Sequence, residues 1–243
     1  MNEQNRKFWE DGTDYNIYVK SELADQRHEL WKERISNFLT EKPVRCLDVG
    51  CGPGFISCIL AECGHLVTGI DRSADMLKHA KENASYLINQ PQFLQMDVNE
   101  LDFPDNSFDL IISRNVTWTL DDPEHVYGLF YRKLRRGGQM VIYDANWHVP
   151  YYHPELLQKV RDNERWYFET FGEEFLVCNE DRSIFEGLPL SDVNRPAWDK
   201  EILEKIGFTD YRENLDAGRD LYQPWEYRLY SATPMFEIVC RKE

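Results

Sequence analysis

Strand-like apolar runs and helix-spaced apolar stripes alternate along most of this chain. Val44, Cys46, Leu47 and Val49 form a short apolar run, Phe55, Ile56, Cys58, Ile59 and Leu60 then recur at helical spacing, and Leu66 to Asp71 is strand-like again. This predicts strand, loop, helix, strand: a βαβ unit with Gly64 as the C-terminal cap of its helix. The alternation continues downstream. Ser73 is placed to cap a helix with Asp75 in its first turn and Met76, Leu77 and Ala80 on its buried face. Phe93–Met96 predicts a third strand. Phe108–Ser113, apolar almost throughout, predicts a central parallel strand covered on both faces. Asp122-Pro123-Glu124 unites a cap, an N1 proline and an acidic first turn, and that helix is expected to end in the cationic, glycine-closed stretch Lys133-Leu134-Arg135-Arg136-Gly137-Gly138. Gly138–Asp144 reads as a fifth strand and Pro196–Ile206 as the last helix, stopped by Gly207. Phe208–Leu215 and Met235–Val239 read as a closing antiparallel pair.

The remaining segments decorate this core. Leu23, Leu30, Trp31, Ile35, Phe38 and Leu39 share one face of a helix expected to end near Thr40, and the stretch Phe8–Tyr18 before it is aromatic and irregular. Residues 149–195 interleave aromatics such as Tyr151, Trp166, Tyr167, Phe171 and Phe185 with acids, the pattern of an inserted helical lid. Residues 216–231, with Tyr222, Trp225, Tyr227 and Tyr230, are placed to close one side of a cleft. No internal repeat or low-complexity linker interrupts the chain. The expectation is one domain over residues 1–243, with an N-terminal helical cap at 1–43 and the lid at 149–195.

The candidate chemistry begins where the first strand breaks. Asp48-Val49-Gly50-Cys51-Gly52-Pro53-Gly54 sets three glycines two apart, in a loop whose amides and following helix N-terminus can face a ligand. Asp71 closes the second strand, where a carboxylate can accept both hydroxyls of a ribose. A dinucleotide fingerprint would need glycine at position 55, which is Phe55. The spacing Asp48-x-Gly50-x-Gly52-x-Gly54, with Asp71, instead resembles motif I of the class I S-adenosylmethionine (SAM)-dependent methyltransferases, in particular the small-molecule, type 11-like group. Met96-Asp97-Val98-Asn99-Glu100-Leu101 followed by Phe103-Pro104-Asp105-Asn106-Ser107-Phe108-Asp109 resembles that family's later motifs. The resemblance implies an α/β, Rossmann-like, doubly wound fold: a seven-stranded, mostly parallel sheet with an antiparallel C-terminal strand. It implies SAM as cofactor, held by Asp48, Gly50, Cys51, Gly52, Gly54, Asp71, Arg72 and Ser113, with Asp97 and the Val98 backbone on the adenine and Tyr15 and Tyr18 folding over it.

Charge and cysteine usage narrow the partners. With 43 acidic against 28 basic residues the formal net charge is −15, which disfavours a nucleic-acid partner. Met1–Lys7 lacks the apolar core of a signal peptide, and no apolar run approaches the ~20 residues of a membrane span, so a cytoplasmic protein with no membrane partner is expected. The six cysteines include no C-x-x-C pair and read as buried free thiols, with no metal site. The oligomeric state is not legible.

The acceptor should sit where two strands run out, at Asn115 and Trp118 after the fourth and at Asn146 and Trp147 after the fifth. Methyl transfer from a sulfonium needs alignment more than a base. Were a base used, His148 is the candidate, since an unperturbed imidazole titrates near ~6.5. A small-molecule acceptor, neutral or cationic, with its N, O or S atom unresolved, follows from the acid-rich aromatic lid. Two alternatives stay open: a SAM-binding protein without methyl transfer, and a nucleotide-cofactor oxidoreductase on the same kind of sheet.

Overall fold

The computed structural model describes residues 7–39, 42–178 and 185–243. Seven strands form one sheet: β1 (Arg45–Val49), β2 (Leu66–Asp71), β3 (Gln92–Gln95), β4 (Phe108–Arg114), β5 (Leu134–Asp144), β6 (Phe208–Asn214) and β7 (Phe236–Lys242). Their order is β3-β2-β1-β4-β5-β7-β6, and β1 to β5 pair in parallel while β7 runs antiparallel to both of its neighbours. The order reverses between β1 and β4. From β1 the chain goes out to β2 and from β4 to β5, so the carboxyl ends of these strands part and leave a crevice.

Alternate residues of the strands serve two helical layers, as the period of two requires. Leu47, Val49, Ile111, Met140 and Ile142 face α5 (Pro123–Lys133) and α7 (Ala197–Ile206) on one side. Cys46, Leu110, Ile112, Val141 and Tyr143 face α2 (Gln26–Ser36) and α3 (Phe55–Glu62) on the other. Being covered on both faces is why β4 is apolar almost throughout. α4 (Ala74–Asn83) starts at Ser73, whose hydroxyl accepts from the Met76 amide at 3.2 Å, and α5 starts at Asp122, which accepts from the His125 amide at 3.0 Å.

Two expectations are revised. The N-terminal helix is two helices, α1 (Thr13–Ala24) and α2, because Asp25 leaves the helical region and its carboxylate caps the second through the Arg27 amide at 2.8 Å. Part of the stretch expected to be irregular, from Thr13 to Tyr18, therefore lies in α1; the expected end at Thr40 falls outside the described residues. Second, Gly137 and Gly138 do not close α5. The helix stops at Lys133, and Leu134 already pairs with Phe108, with the register shifting before Leu110 meets Gln139. Within 149–195 the described residues include a short 3₁₀ turn, Val149–Tyr152, and one long helix, α6 (Pro154–Phe171), ended by Gly172 in the left-handed region. Residues 216–231 add two short helices, α8 (Gly218–Leu221) and α9 (Pro224–Leu229), the latter packed on α6. No helix among the described residues is long and apolar enough to cross a membrane, and the cysteines among them are all free.

Candidate active site

The crevice at the carboxyl ends of β1, β2, β3 and β4 holds a cavity of about 400 Å³. Gly50 and Gly52 form its floor. A side chain at Gly50 would put Cβ 2.3 Å from Val116 Cγ2, so the loop can pass under the β4 exit only as glycine. Gly54, with φ of 89°, serves packing: a Cβ there would lie 3.1 Å from Ala80 Cβ, and its absence lets α4 close on the loop.

Two carboxylates mark the far wall. Asp71 accepts from the Gly52 amide at 3.0 Å and the Ser73 amide at 2.8 Å, which fixes its orientation across the loop. Burial pushes its carboxyl above the usual range, against the pull of those amides. Asp97 accepts from the Asn99 amide at 2.9 Å and side chain at 2.7 Å through one oxygen, Oδ1, in the turn that also exposes Val98. Arg72 lies on the same wall.

The front is built by the N-terminal segment. The Glu10 carbonyl accepts from the Ser73 hydroxyl at 2.9 Å and the Gly12 amide donates to Asp75 at 2.9 Å, so residues 9–12 are strapped to the start of α4. Trp9 and Tyr15 thereby reach the cavity. α1 is anchored from below by a bidentate pair, Arg114 to Glu22 at 2.6 and 3.1 Å, buried on both sides. Arg114 itself lines the cavity, and its Nε has no hydrogen-bond partner among the described residues.

A second cavity, of about 250 Å³, adjoins the first and shares Trp9, Tyr15 and Asn115 with it. Trp118, Trp147, His148, Tyr151 and Phe185 line its other sides. Asn115 sits at φ of 58°, its amide held by the Tyr143 carbonyl at 2.8 Å. A left-handed non-glycine residue between two cavities is the kind of strain that surrounding structure must enforce.

What enforces it is a buried cluster at the lid's end. The Arg195 guanidinium, fully buried, donates to Asp144 at 3.0 Å, to the Thr117 hydroxyl at 2.7 Å and to Asp199 at 2.8 and 2.9 Å. Asp144 also accepts from the Trp118 amide at 2.9 Å. The exits of β4 and β5 and the lid are thus bolted together.

Several residues named from the sequence lie elsewhere. Tyr18 turns away from both cavities and donates to Glu226 at 2.6 Å, because that buried carboxylate, also held by Arg27, needs donors. Asn146 donates to the Arg195 carbonyl at 2.9 Å and lines neither cavity. Asp48 lies beneath the loop, accepting from the Ser57 hydroxyl at 2.6 Å, and burial raises its carboxyl to about 7. Cys51, Gly54 and Ser113 are packed under the floor rather than on it. His148 lines the second cavity, but burial alone lowers its imidazole to about 4, too acidic for the poised base its ordinary value suggested. Sequence reasoning missed Arg114 and Arg195, because each meets its carboxylate far along the chain: Arg114 finds Glu22 across 92 positions and Arg195 finds Asp144 across 51.

The cavity suits SAM on the structure's own terms. Glycine backbone on the floor, an amide-fixed carboxylate at the β2 end, a second at the β3 end and a buried cation with an unpartnered nitrogen complement a molecule with a ribose, an adenine and a carboxylate. Comparison with known proteins agrees. A methyltransferase-domain family model matches residues 47–142. The 2-phytyl-1,4-naphtoquinone methyltransferase of Nostoc sp. is 30% identical over 201 residues, covering 77% of this chain and 82% of that enzyme. The chain belongs to the class I SAM-dependent methyltransferases. Among the other relatives of this methyltransferase, the phosphatidylethanolamine N-methyltransferase of Cereibacter sphaeroides is 35% identical over 113 residues, 46% of this chain and 55% of that enzyme's length. The SAM complex of Haemonchus contortus phosphoethanolamine N-methyltransferase 2 shares the fold at TM-score 0.60 and 21% identity, covering 86% of this chain and 51% of that one.

Proposed function

We propose that this methyltransferase moves the methyl group of SAM to a small-molecule acceptor held in the second, aromatic cavity. The observation that carries this reading is the shared wall: the cofactor-sized cleft and the aromatic pocket meet at Trp9, Tyr15 and Asn115, so a ligand in each would touch at one place. When bound, SAM supplies a methyl group already activated by its sulfonium. The chain's own residues bind and orient. Asp71 is assigned to the ribose hydroxyls, Asp97 and the Val98 backbone to the adenine edge, the Gly50 to Gly52 backbone to the methionine end, and Arg114 to its carboxylate. Asn115 and Trp118 align the acceptor, while the strap at residues 9–12 and the lid exclude water. The named relatives are methyltransferases of phosphatidylethanolamine, phosphoethanolamine and 2-phytyl-1,4-naphtoquinone, so amine and quinone acceptors both belong to the panel to be tried.

Titration calorimetry with SAM tests the cofactor half. Asp71→Ala is expected to lose about 1.5 to 3 kcal/mol of binding, the scale of hydrogen bonds to a charged group. Equal affinity in the variant would remove Asp71 from the site. Failure of the wild-type protein to bind SAM at all would remove the reading.

A further inference from the structure

The aromatic pocket has a polarity of its own. The His148 ring stacks on Phe185 at 3.9 Å and 9°, meets Trp118 edge-on at 4.7 Å, and Tyr151 tilts onto the same Phe185 ring at 4.6 Å. These rings pack on one another as one aromatic wall, and Trp9 continues it at 6.4 Å from Trp118.

The residues lining this pocket carry five buried side-chain atoms with no hydrogen-bond partner among the described residues: Nε1 of Trp9, Nε1 of Trp147, Oδ1 of Asn115 and both ring nitrogens of His148. Buried polar groups in native proteins are nearly always satisfied, so five on the residues around one cavity point to hydrogen-bond partners brought by a ligand. Their chemistry is readable. The indoles only donate, and the amide oxygen only accepts. The imidazole, neutral at pH 7 because burial alone holds it down, offers one of each in either tautomer. A partner must accept from the indoles and donate to Asn115, and it must lie flat against rings. The ammonium head of an alkylamine has nothing to accept with and does not lie flat against a ring. A phosphorylated amine brings a dianion to a pocket whose described lining includes no charged side chain.

We propose that the pocket takes an uncharged, flat aromatic or heteroaromatic acceptor bearing hydrogen-bonding substituents, of the hydroxyarene or hydroxy-heteroarene class, in preference to ammonium or phosphorylated-amine acceptors. This rests on the methyl-transfer reading and names its acceptor class.

The test is a binding experiment on the full chain loaded with S-adenosylhomocysteine, whose own binding is measured first by calorimetry. 1-Naphthol, 4-hydroxyquinoline, naphthalene, choline and phosphoethanolamine are then titrated, read by fluorescence of the pocket tryptophans and by calorimetry. The hydroxylated rings are expected to bind about tenfold or more tightly than choline or phosphoethanolamine, and 1-naphthol more tightly than naphthalene. His148→Phe keeps a ring on Phe185 and should shrink the difference between 1-naphthol and naphthalene severalfold. Trp147→Phe, which removes one donor and keeps a ring, should shrink it too, so the proposal does not hang on one variant's folding. Tighter binding of choline or phosphoethanolamine, or no binding of any hydroxylated ring by protein that does bind S-adenosylhomocysteine, overturns the acceptor class alone. Failure to bind S-adenosylhomocysteine overturns the methyl-transfer reading and this one with it.

Discussion

Asp48 and His148 are buried groups shifted in opposite directions, and their effects on stability oppose each other. Burial raises Asp48 from 3.8 to about 7, so between those values the folded chain holds a proton that the unfolded chain has lost, and stability falls as pH rises. Burial lowers His148 from 6.5 to about 4, so between those values the unfolded chain holds the extra proton, and stability rises with pH. Each slope is ~1.4 kcal/mol per pH unit, and they nearly cancel over the shared window. Single variants should expose them. From about pH 5 to pH 6.5, Asp48→Asn is expected to gain ~1.5 to 2 kcal/mol relative to wild type, and His148→Phe to lose a similar amount, by urea unfolding at each pH. If both differences stay flat, neither group is desolvated as the structure has it. Asp48 was legible as an acid before a glycine loop. Its position below the loop was not, because that depends on Ser57, nine residues on, turning its hydroxyl inward.

At the scale of elements, the sheet was legible and its fastenings were not. β4 could be read because a strand covered on both faces must be apolar, and the starts of α4 and α5 because a capping side chain is a local signal. The break at Asp25 was hidden by apolar spacing that runs on across it. The early start of β5 was hidden too, since Leu134 takes its extended form from pairing with Phe108, a partner far away in sequence. Arg195 is the extreme case. Nothing local marks it, yet it joins the lid to α7 and to both strand exits. Removing it leaves Asp144 and Asp199 buried together without their cation, so Arg195→Met is expected to cost ~3–5 kcal/mol in urea unfolding. Arg195→Lys keeps the charge and loses the fork, and should remain folded. In that variant kcat/KM for the acceptor should fall while SAM affinity holds, because the disturbed atoms carry Thr117 and Trp118 and not the glycine loop. An Arg195→Lys variant with unchanged acceptor kinetics would make the cluster a matter of stability only.

Across the whole molecule the cofactor cleft is assembled from distant parts of the chain: the strap at residues 9–12, the loop after β1, the ends of β2 and β3, and Arg114 at the end of β4. A ligand spanning them stabilises their assembled arrangement and has no comparable site in the unfolded chain, so its binding free energy appears as folding stability. At about one hundred times its dissociation constant, S-adenosylhomocysteine should add ~2.7 kcal/mol. For a chain of this length that corresponds to a rise in Tm of roughly 5–10 °C. The gain should reach the N-terminal segment as well as the core. α1 is fastened outside the sheet's ladder, by Glu22 to Arg114, Tyr18 to Glu226, Asn16 to His79 and Asn83, and the strap just before it onto Ser73 and Asp75. Its opening is therefore local, and if that opening releases the ligand, amide exchange there should slow by as large a factor as in β1 or β4, whose exchange through global unfolding gains the full ~2.7 kcal/mol. Exchange measured with and without the ligand would check this. A Tm that rises while α1 amides exchange as fast as before would mean that the N-terminal segment forms no wall of the cofactor site.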